Sequence, residues 1–304
     1  MKQGLPTHNI IDDDFIARLE TLSMHMPNPM QGFFGGTHRT NTYGQTVEFA
    51  DFRDYNLGDD IRRIDWNLYS RFEKHFIRLY VDERQMHIQV FLDCSASMQN
   101  TNKQKGTKAL QVMAMMGYLA VQSMDKTTLR LIKGDFADDP CGTLVGKNSF
   151  FNGISKIGDT ITFEGDASIE DAILNCQNLG SNDGLTIIIS DFLTENNWKS
   201  AVDYLLYRKR QVMLVQILTP EEIDPMQRGR VQMIDSESIH INDGKNMRIR
   251  LTKAHLKAYK RAINDFRADI KTFCDDRGVI FVEARSDEPI ETFLEKLLEL
   301  EMVR

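Results

Sequence analysis

Met86-His-Ile-Gln-Val-Phe-Leu-Asp-Cys-Ser-Ala-Ser-Met98 is the stretch on which the reading of this chain turns. Ile88, Val90, Phe91 and Leu92 are β-branched, aromatic or aliphatic and read as a strand that ends on a carboxylate, Asp93. Two hydroxyls, Ser95 and Ser97, follow at alternate positions, and 103–124 reads as a long helix. A carboxylate and two hydroxyls, spaced by single residues on a strand-to-helix loop, can turn toward one point. A hard divalent cation takes oxygen donors of that kind.

Downstream, strands and helices alternate. Strands are expected at 86–93, 127–133, 184–190, 211–218 and 279–284, with helices at 103–124, 168–178, 196–209, 252–275 and 289–301. In 252–275, Leu256, Tyr259, Ile263, Phe266, Ile270 and Phe273 recur in steps of three and four, one apolar stripe against a sheet. In 103–124, Val112, Met113, Met115, Met116, Leu119 and Val121 surround the helix, which predicts burial, with the methionines as core packing. Such alternation predicts an α/β fold with a doubly wound, mostly parallel sheet covered on both faces. Right-handed crossovers put every strand-to-helix loop on one edge, where ligands of such folds bind. Asp93 ends one strand, and Asp191, in Thr186-Ile-Ile-Ile-Ser-Asp-Phe-Leu193, ends another.

Upstream, 11–25 reads as an amphipathic helix, capped by Asp12 or Asp13, with Phe15, Ile16, Leu19 and Leu22 on one face. A loop is expected over 26–36, then short strands and turns over 44–82. The expected division is 1–83, an N-terminal helix plus β-rich extension, and 84–304, the α/β domain. Within the first part, Asp59, Asp60, Arg62, Arg63 and Asp65 read as an ion-pair network and Trp66 as a buried anchor.

The net charge of −7 argues against nucleic acid as the main partner. The short basic cluster Tyr207-Arg-Lys-Arg210 reads as the solvated end of a helix. Cys94, Cys141, Cys176 and Cys274 are scattered without a Cys-x-x-Cys pair, which suggests reduced thiols. No apolar run approaches the roughly 20 residues of a membrane span, and Asp12-Asp-Asp14 stands where a signal peptide is apolar. A cytoplasmic protein is expected. Gly142-Thr-Leu-Val-Gly-Lys-Asn148 is one residue short of a phosphate loop and lacks its terminal Ser or Thr. The acidic cluster Asp135, Asp138 and Asp139 lacks calcium-loop spacing and reads as a solvated turn. No Gly-x-Ser-x-Gly elbow is present.

Asp-x-Ser-x-Ser at one strand end, with a later strand ending in Ser-Asp, resembles a von Willebrand factor type A domain with its metal-ion-dependent adhesion site. Gly36-Thr-His-Arg-Thr40, Gly44, Glu48-Phe-Ala-Asp-Phe-Arg-Asp-Tyr55, Gly58-Asp-Asp-Ile-Arg-Arg-Ile-Asp-Trp66 and Arg71 resemble the signature of a bacterial family, domain of unknown function 58. Gly229-Arg-Val-Gln-Met-Ile-Asp-Ser-Glu237 does so as well. The resemblance implies a von Willebrand factor type A-like fold and a divalent cation, magnesium first, with manganese or calcium as alternatives. It implies Asp93, Ser95 and Ser97 as ligands from the first loop and Asp191 from a later one. A middle-loop threonine usual in such sites is replaced by Ala167, with Ser168 one residue on as the substitute ligand.

The implied function is non-enzymatic: a metal-dependent protein-interaction module whose cation takes an acidic group of a partner. A MoxR-type AAA+ ATPase is the implied partner, with an adaptor role in protein assembly or maturation. The alternative is a metal-dependent hydrolase or phosphatase using Asp93, although Ser95 holds the place where phosphoaspartate enzymes carry a second aspartate. Against any ligand role stands a plainer reading, in which the serines only cap the following helix.

Overall fold

The computed structural model describes residues 13–24, 48–56, 58–81, 86–99, 104–179, 184–194, 197–225, 229–233, 247–251 and 253–302. The loop expected over 26–36, the signature residues Gly36-Thr-His-Arg-Thr40 and Gly44, and the end of the Gly229-Arg-Val-Gln-Met-Ile-Asp-Ser-Glu237 motif lie outside them. Contacts divide the chain into a small unit, Phe34–Gln85, and a large one, Met1–Phe33 with Met86–Arg304.

In the small unit β1 (Glu48–Asp54) pairs antiparallel with β2 (Phe76–Val81), with a register slip between Phe49 and Asp51. The intervening sequence forms a single turn of 3₁₀ helix, Ile61–Arg63, and α2 (Trp66–Phe72). The acidic residues here do local work. Asp60 accepts from the Arg62 amide at 3.0 Å, and Asp65 accepts from those of Asn67 and Leu68, so each caps a helical turn. Asp59 takes the Arg53 guanidinium at 2.7 and 2.8 Å. Trp66 is 60% exposed, with its ring against Tyr69 and His75, so the expected buried anchor is corrected: an N1 position on a two-turn helix faces outward here.

The large unit is built on a seven-stranded sheet. Its strands are β3 (His87–Asp93), β4 (Lys126–Lys133), β5 (Phe136–Asp138), β6 (Thr143–Leu144), β7 (Leu185–Ser190), β8 (Gln211–Leu218) and β11 (Ile280–Arg285). The order is β11-β8-β7-β3-β4-β5, with β6 also on β4. Strands β11, β8, β7, β3 and β4 are parallel, and β5 and β6 are antiparallel to β4. The doubly wound, mostly parallel α/β fold expected from the alternation is the one observed. Asp138, expected in a solvated turn, lies on the edge strand β5. Outside this sheet, β9 (Gly229–Met233) and β10 (Met247–Leu251) form an antiparallel pair.

Both faces of the sheet are covered. Phe91, Ile188 and Leu214 pack with α5 (Ile169–Leu174), α6 (Trp198–Tyr207) and α8 (Lys253–Arg277) in one apolar cluster. α3 (Gln104–Gln122) is buried nearly all round, as its sequence predicts, with Met113, Met115 and Met116 in the core. It contacts β3 and β4 as well as α4 (Lys147–Thr160) and α9 (Ile290–Met302). The N-terminal helix α1 (Asp13–Met24) also packs on α3, with Phe15 and Leu19 buried. The division at 83/84 is corrected there: α1 groups with the α/β unit, because its apolar face is covered by α3. Among the described residues no helix is long and apolar enough to cross a membrane.

The chain leaves β3 toward β4 on one side and later returns to β7 on the other. The switch in winding therefore falls between β3 and β7, and their carboxyl ends flank the crevice that such a switch creates. At the opposite pole, Arg210 reverses its expected role as a solvated helix end. It is buried, and donates to the Thr186 hydroxyl at 2.7 Å and to the carbonyls of His87 and Leu185 at 2.8 and 2.7 Å. Burial pushes its guanidinium down to about 10. Gly184 makes the room, since a Cβ there would meet the His87 carbonyl and lie 2.7 Å from a guanidinium nitrogen.

Candidate functional site

Register brings the first pair of groups together. Leu92 is opposite Ile189, so Asp93 and Ser190 end adjacent strands at the same level. The Ser190 hydroxyl donates to Asp93 Oδ2 at 2.6 Å, and the Ser95 amide donates to Oδ1 at 2.9 Å. Asp93 is buried, and burial raises its carboxyl to about 6, with the nearby charge of Asp191 adding to the rise. Hydrogen bonds from Ser190 and Ser95 work in the other direction.

Ser95 begins a 3₁₀ turn, Ala96–Met98, yet its side chain makes no capping bond. Its hydroxyl instead shares a 3.0 Å hydrogen bond with that of Ser97. The plain capping reading therefore does not account for Ser95. The loop is held from the side by the middle loop, where Ala96 N donates to the Gly165 carbonyl at 2.9 Å and Glu164 N to that of Cys94 at 3.0 Å. Cys94 itself is buried, and burial, with the charge of Asp93 beside it, raises its thiol.

Asp191 follows β7 and is also buried. The next residue, Phe192, has a φ of 58° in the left-handed region, a costly conformation for a bulky side chain. Its ring packs 5.1 Å from that of Trp198, and its amide donates to the Ser190 hydroxyl at 2.9 Å. The Leu193 amide then reaches Asp191 Oδ1 at 2.9 Å. On the other oxygen, Oδ2, Asp191 accepts from Lys105 Nζ at 2.7 Å. The Lys105 side chain is 0% exposed and bonds Glu222 Oε1 at 2.7 Å as well. Burial would pull this ammonium down, but Asp191 and Glu222 outweigh it and raise it above the ordinary lysine value. Glu222 is itself fixed on α7 (Pro220–Ile223), where it forms a capping box with Thr219.

Of the five residues expected to hold a metal, the structure gathers Asp93, Ser95, Ser97 and Asp191 at one edge of the sheet. Ser168, in the middle loop, is engaged as a helix cap. Its hydroxyl donates to Asp171 Oδ2 at 2.6 Å and accepts from the Asp171 amide, capping α5. Ser190, Lys105 and Glu222 were not legible as site residues. Only Ser190 carried a signal, as the neighbour of Asp191 at a strand end.

A family model described as "Protein of unknown function DUF58" matches residues 51–268, well over half of the chain. The chain belongs to this family. An uncharacterized protein of Mycobacterium tuberculosis is 24% identical to this DUF58 protein over 284 residues, 92% of this chain and 87% of the relative. Among solved structures, the conserved hypothetical protein BatB from Bacteroides thetaiotaomicron is similar at 13% identity and a TM-score of 0.41. The match covers 72% of this chain and 100% of BatB. Proximal thread matrix protein 1 from the mussel byssus, with a zinc-occupied MIDAS motif, is similar at 13% identity and a TM-score of 0.39. There 71% of this chain and 46% of the byssus protein are covered. The fold of this DUF58 protein is a doubly wound, mostly parallel α/β sheet.

The motif resemblance implies a divalent cation at the carboxyl edge, and the donor set of this DUF58 protein fits it in part. Ser95 and Ser97 offer two hydroxyl oxygens, bonded to each other, beside the Asp93 carboxylate. Asp191 offers less, because the Lys105 ammonium, a full positive charge, is paired with its Oδ2 at 2.7 Å. Ser168 is committed to its cap. Among the described residues no group of three or more His, Cys, Asp or Glu side chains is placed to hold a metal ion, so a cation here would rest on Asp93 together with serine hydroxyls and water.

Proposed function

We propose that this protein is a non-enzymatic, metal-dependent protein-interaction module. Its docking point is the edge formed by Asp93, Ser95 and Ser97. The observation that carries the reading is the pair of serine hydroxyls, 3.0 Å apart, that bond each other, with Ser95 making no cap on its 3₁₀ turn, and that stand beside a buried carboxylate. These three residues would hold a divalent cation, magnesium in the first instance. When bound, such a hard cation supplies a coordination position that a partner's acidic group can take. The chain's own residues orient the donors: Ser190 and the Ser95 amide fix the Asp93 carboxylate, and the middle loop fixes the Cys94–Ala96 backbone. Asp191 and Ser168 are left out of the ligand set for the reasons of geometry given above.

The family resemblance supports a MoxR-type AAA+ ATPase as the partner, with this chain as a cytoplasmic adaptor in assembly or maturation of other proteins. Affinity capture from native cells, with and without chelator, tests this. Recovery of an AAA+ ATPase only with the metal present is the expected result. Recovery independent of chelator overturns the metal dependence. In parallel, Asp93→Ala is expected to abolish the rise in melting temperature that magnesium gives the parent protein, while leaving the far-UV circular dichroism unchanged. An equal rise in both proteins removes Asp93 from the ligand set. Turnover of a phosphate-ester panel that is lost in Asp93→Ala would establish the hydrolase alternative instead.

A further inference from the structure

We propose that Lys105 is a built-in counter-ion for this site: its buried ammonium takes over the Asp191 carboxylate and thereby weakens the hold of Asp93, Ser95 and Ser97 on a divalent cation. The inference rests on the cation reading given above and extends it to a residue outside the ligand set.

Three observations carry it. First, a wholly buried ammonium needs charged or polar partners to offset its desolvation, and Lys105 finds Asp191 and Glu222, each at 2.7 Å. Second, Asp191 is held in place by the Leu193 amide on Oδ1 and by Gln216 Nε2 on its backbone carbonyl at 2.9 Å, and its Oδ2 faces the full positive charge of Lys105. Third, Lys105 lies in the first turn of α3, the helix that follows the Asp93–Ser97 loop, so the same segment delivers the hydroxyls and the positive charge. Asp191 directly follows Ser190, whose hydroxyl donates to Asp93 Oδ2 at 2.6 Å, so the two carboxylates end neighbouring strands. Neutralising Asp191 with a tethered ammonium therefore withdraws negative charge from the place a cation would occupy. A fixed positive charge in a poorly screened setting repels a divalent ion strongly.

The test is manganese titration of the full chain by calorimetry, with electron paramagnetic resonance of the free ion as a second readout. Four proteins are compared: the parent, Lys105→Met, Lys105→Met/Asp191→Asn, and Asp93→Asn. Lys105→Met is expected to bind manganese roughly tenfold or more tightly than the parent. Adding Asp191→Asn, which removes the ion pair as a unit, is expected to return the affinity to the parental value. Should Lys105→Met fail to fold, Lys105→Gln replaces it, because the amide keeps a donor on Asp191 while removing the charge.

Equal manganese affinity in the parent and the charge-removed variant overturns the counter-ion role, and leaves the cation reading standing if Asp93→Asn loses binding. Binding by Lys105→Met but not by the parent supports the counter-ion role and sinks the cation reading for the native protein. Binding by neither sinks both.

Discussion

Ser190 joins the ends of two strands through one oxygen, donating to Asp93 and accepting from the Phe192 amide. Its removal strands a buried carboxylate oxygen and a buried N–H together, and such orphaned groups cost about 1–3 kcal/mol. Ser190→Ala is therefore expected to lower the unfolding free energy in urea by that amount, and a loss below about 0.5 kcal/mol would show that the hydroxyl is not structural. Asp93, Ser95 and Ser97 were legible in the sequence because their relation is local: alternate residues on one loop share a side whatever the rest of the fold does. Lys105 was not legible. Its burial depends on where Asp191 and Glu222 arrive from the ends of β7 and β8, and nothing near position 105 encodes that distance. Arg210 shows the same limit, since its neighbours are polar and exposed while its own guanidinium serves two buried carbonyls.

Elements with strong periodicity fell where the sequence put them. The 211–218 strand agrees at both ends, and 86–93 and 184–190 differ by one residue at the start. Three helices were missed, the four-residue α7 among them. α4 contains Gly153, Gly158 and two asparagines, poor helix formers, and two of the five residues on its buried face, Phe150, Gly153, Ile154, Ile157 and Gly158, are glycines. α2 is seven residues long and owes its start to the Asp65 cap. α3 supplies the pH test at this scale. Lys108 lies on it, donates to the Glu288 carbonyl at 2.7 Å, and is pushed by burial down to about 8. Between about 8 and the ordinary lysine value of 10.5 the unfolded chain holds a proton that the folded chain has released. Stability must then rise with pH across that window, because the cost of a buried charge is relieved. Urea denaturation near pH 7.5 and pH 9.5 is expected to show a larger increase for the parent than for Lys108→Met. Equal increments would mean that Lys108 titrates as an exposed lysine does.

At the scale of the whole molecule, the two units differ in how much core they own. The large unit buries β3, β7 and β8 almost without exposed residues, whereas Ile61, Trp66 and Phe72 of the small unit are each about 60% exposed. Opening free energy follows buried apolar contact. Hydrogen exchange is accordingly expected to be slowest in 87–93, 185–190 and 211–218, and markedly faster across 48–81. Comparable protection in both would refute the inequality. The alternation of elements disclosed the sheet, but not that α1 belongs with it, since an amphipathic helix shows that it needs a partner without naming one. The same sheet has a mechanical consequence. Arg210 staples β3 to β7 at one pole and Ser190 staples them at the other. Two neighbouring strands fastened at both extremities cannot slide, so their tips present a rigid gauge of constant width.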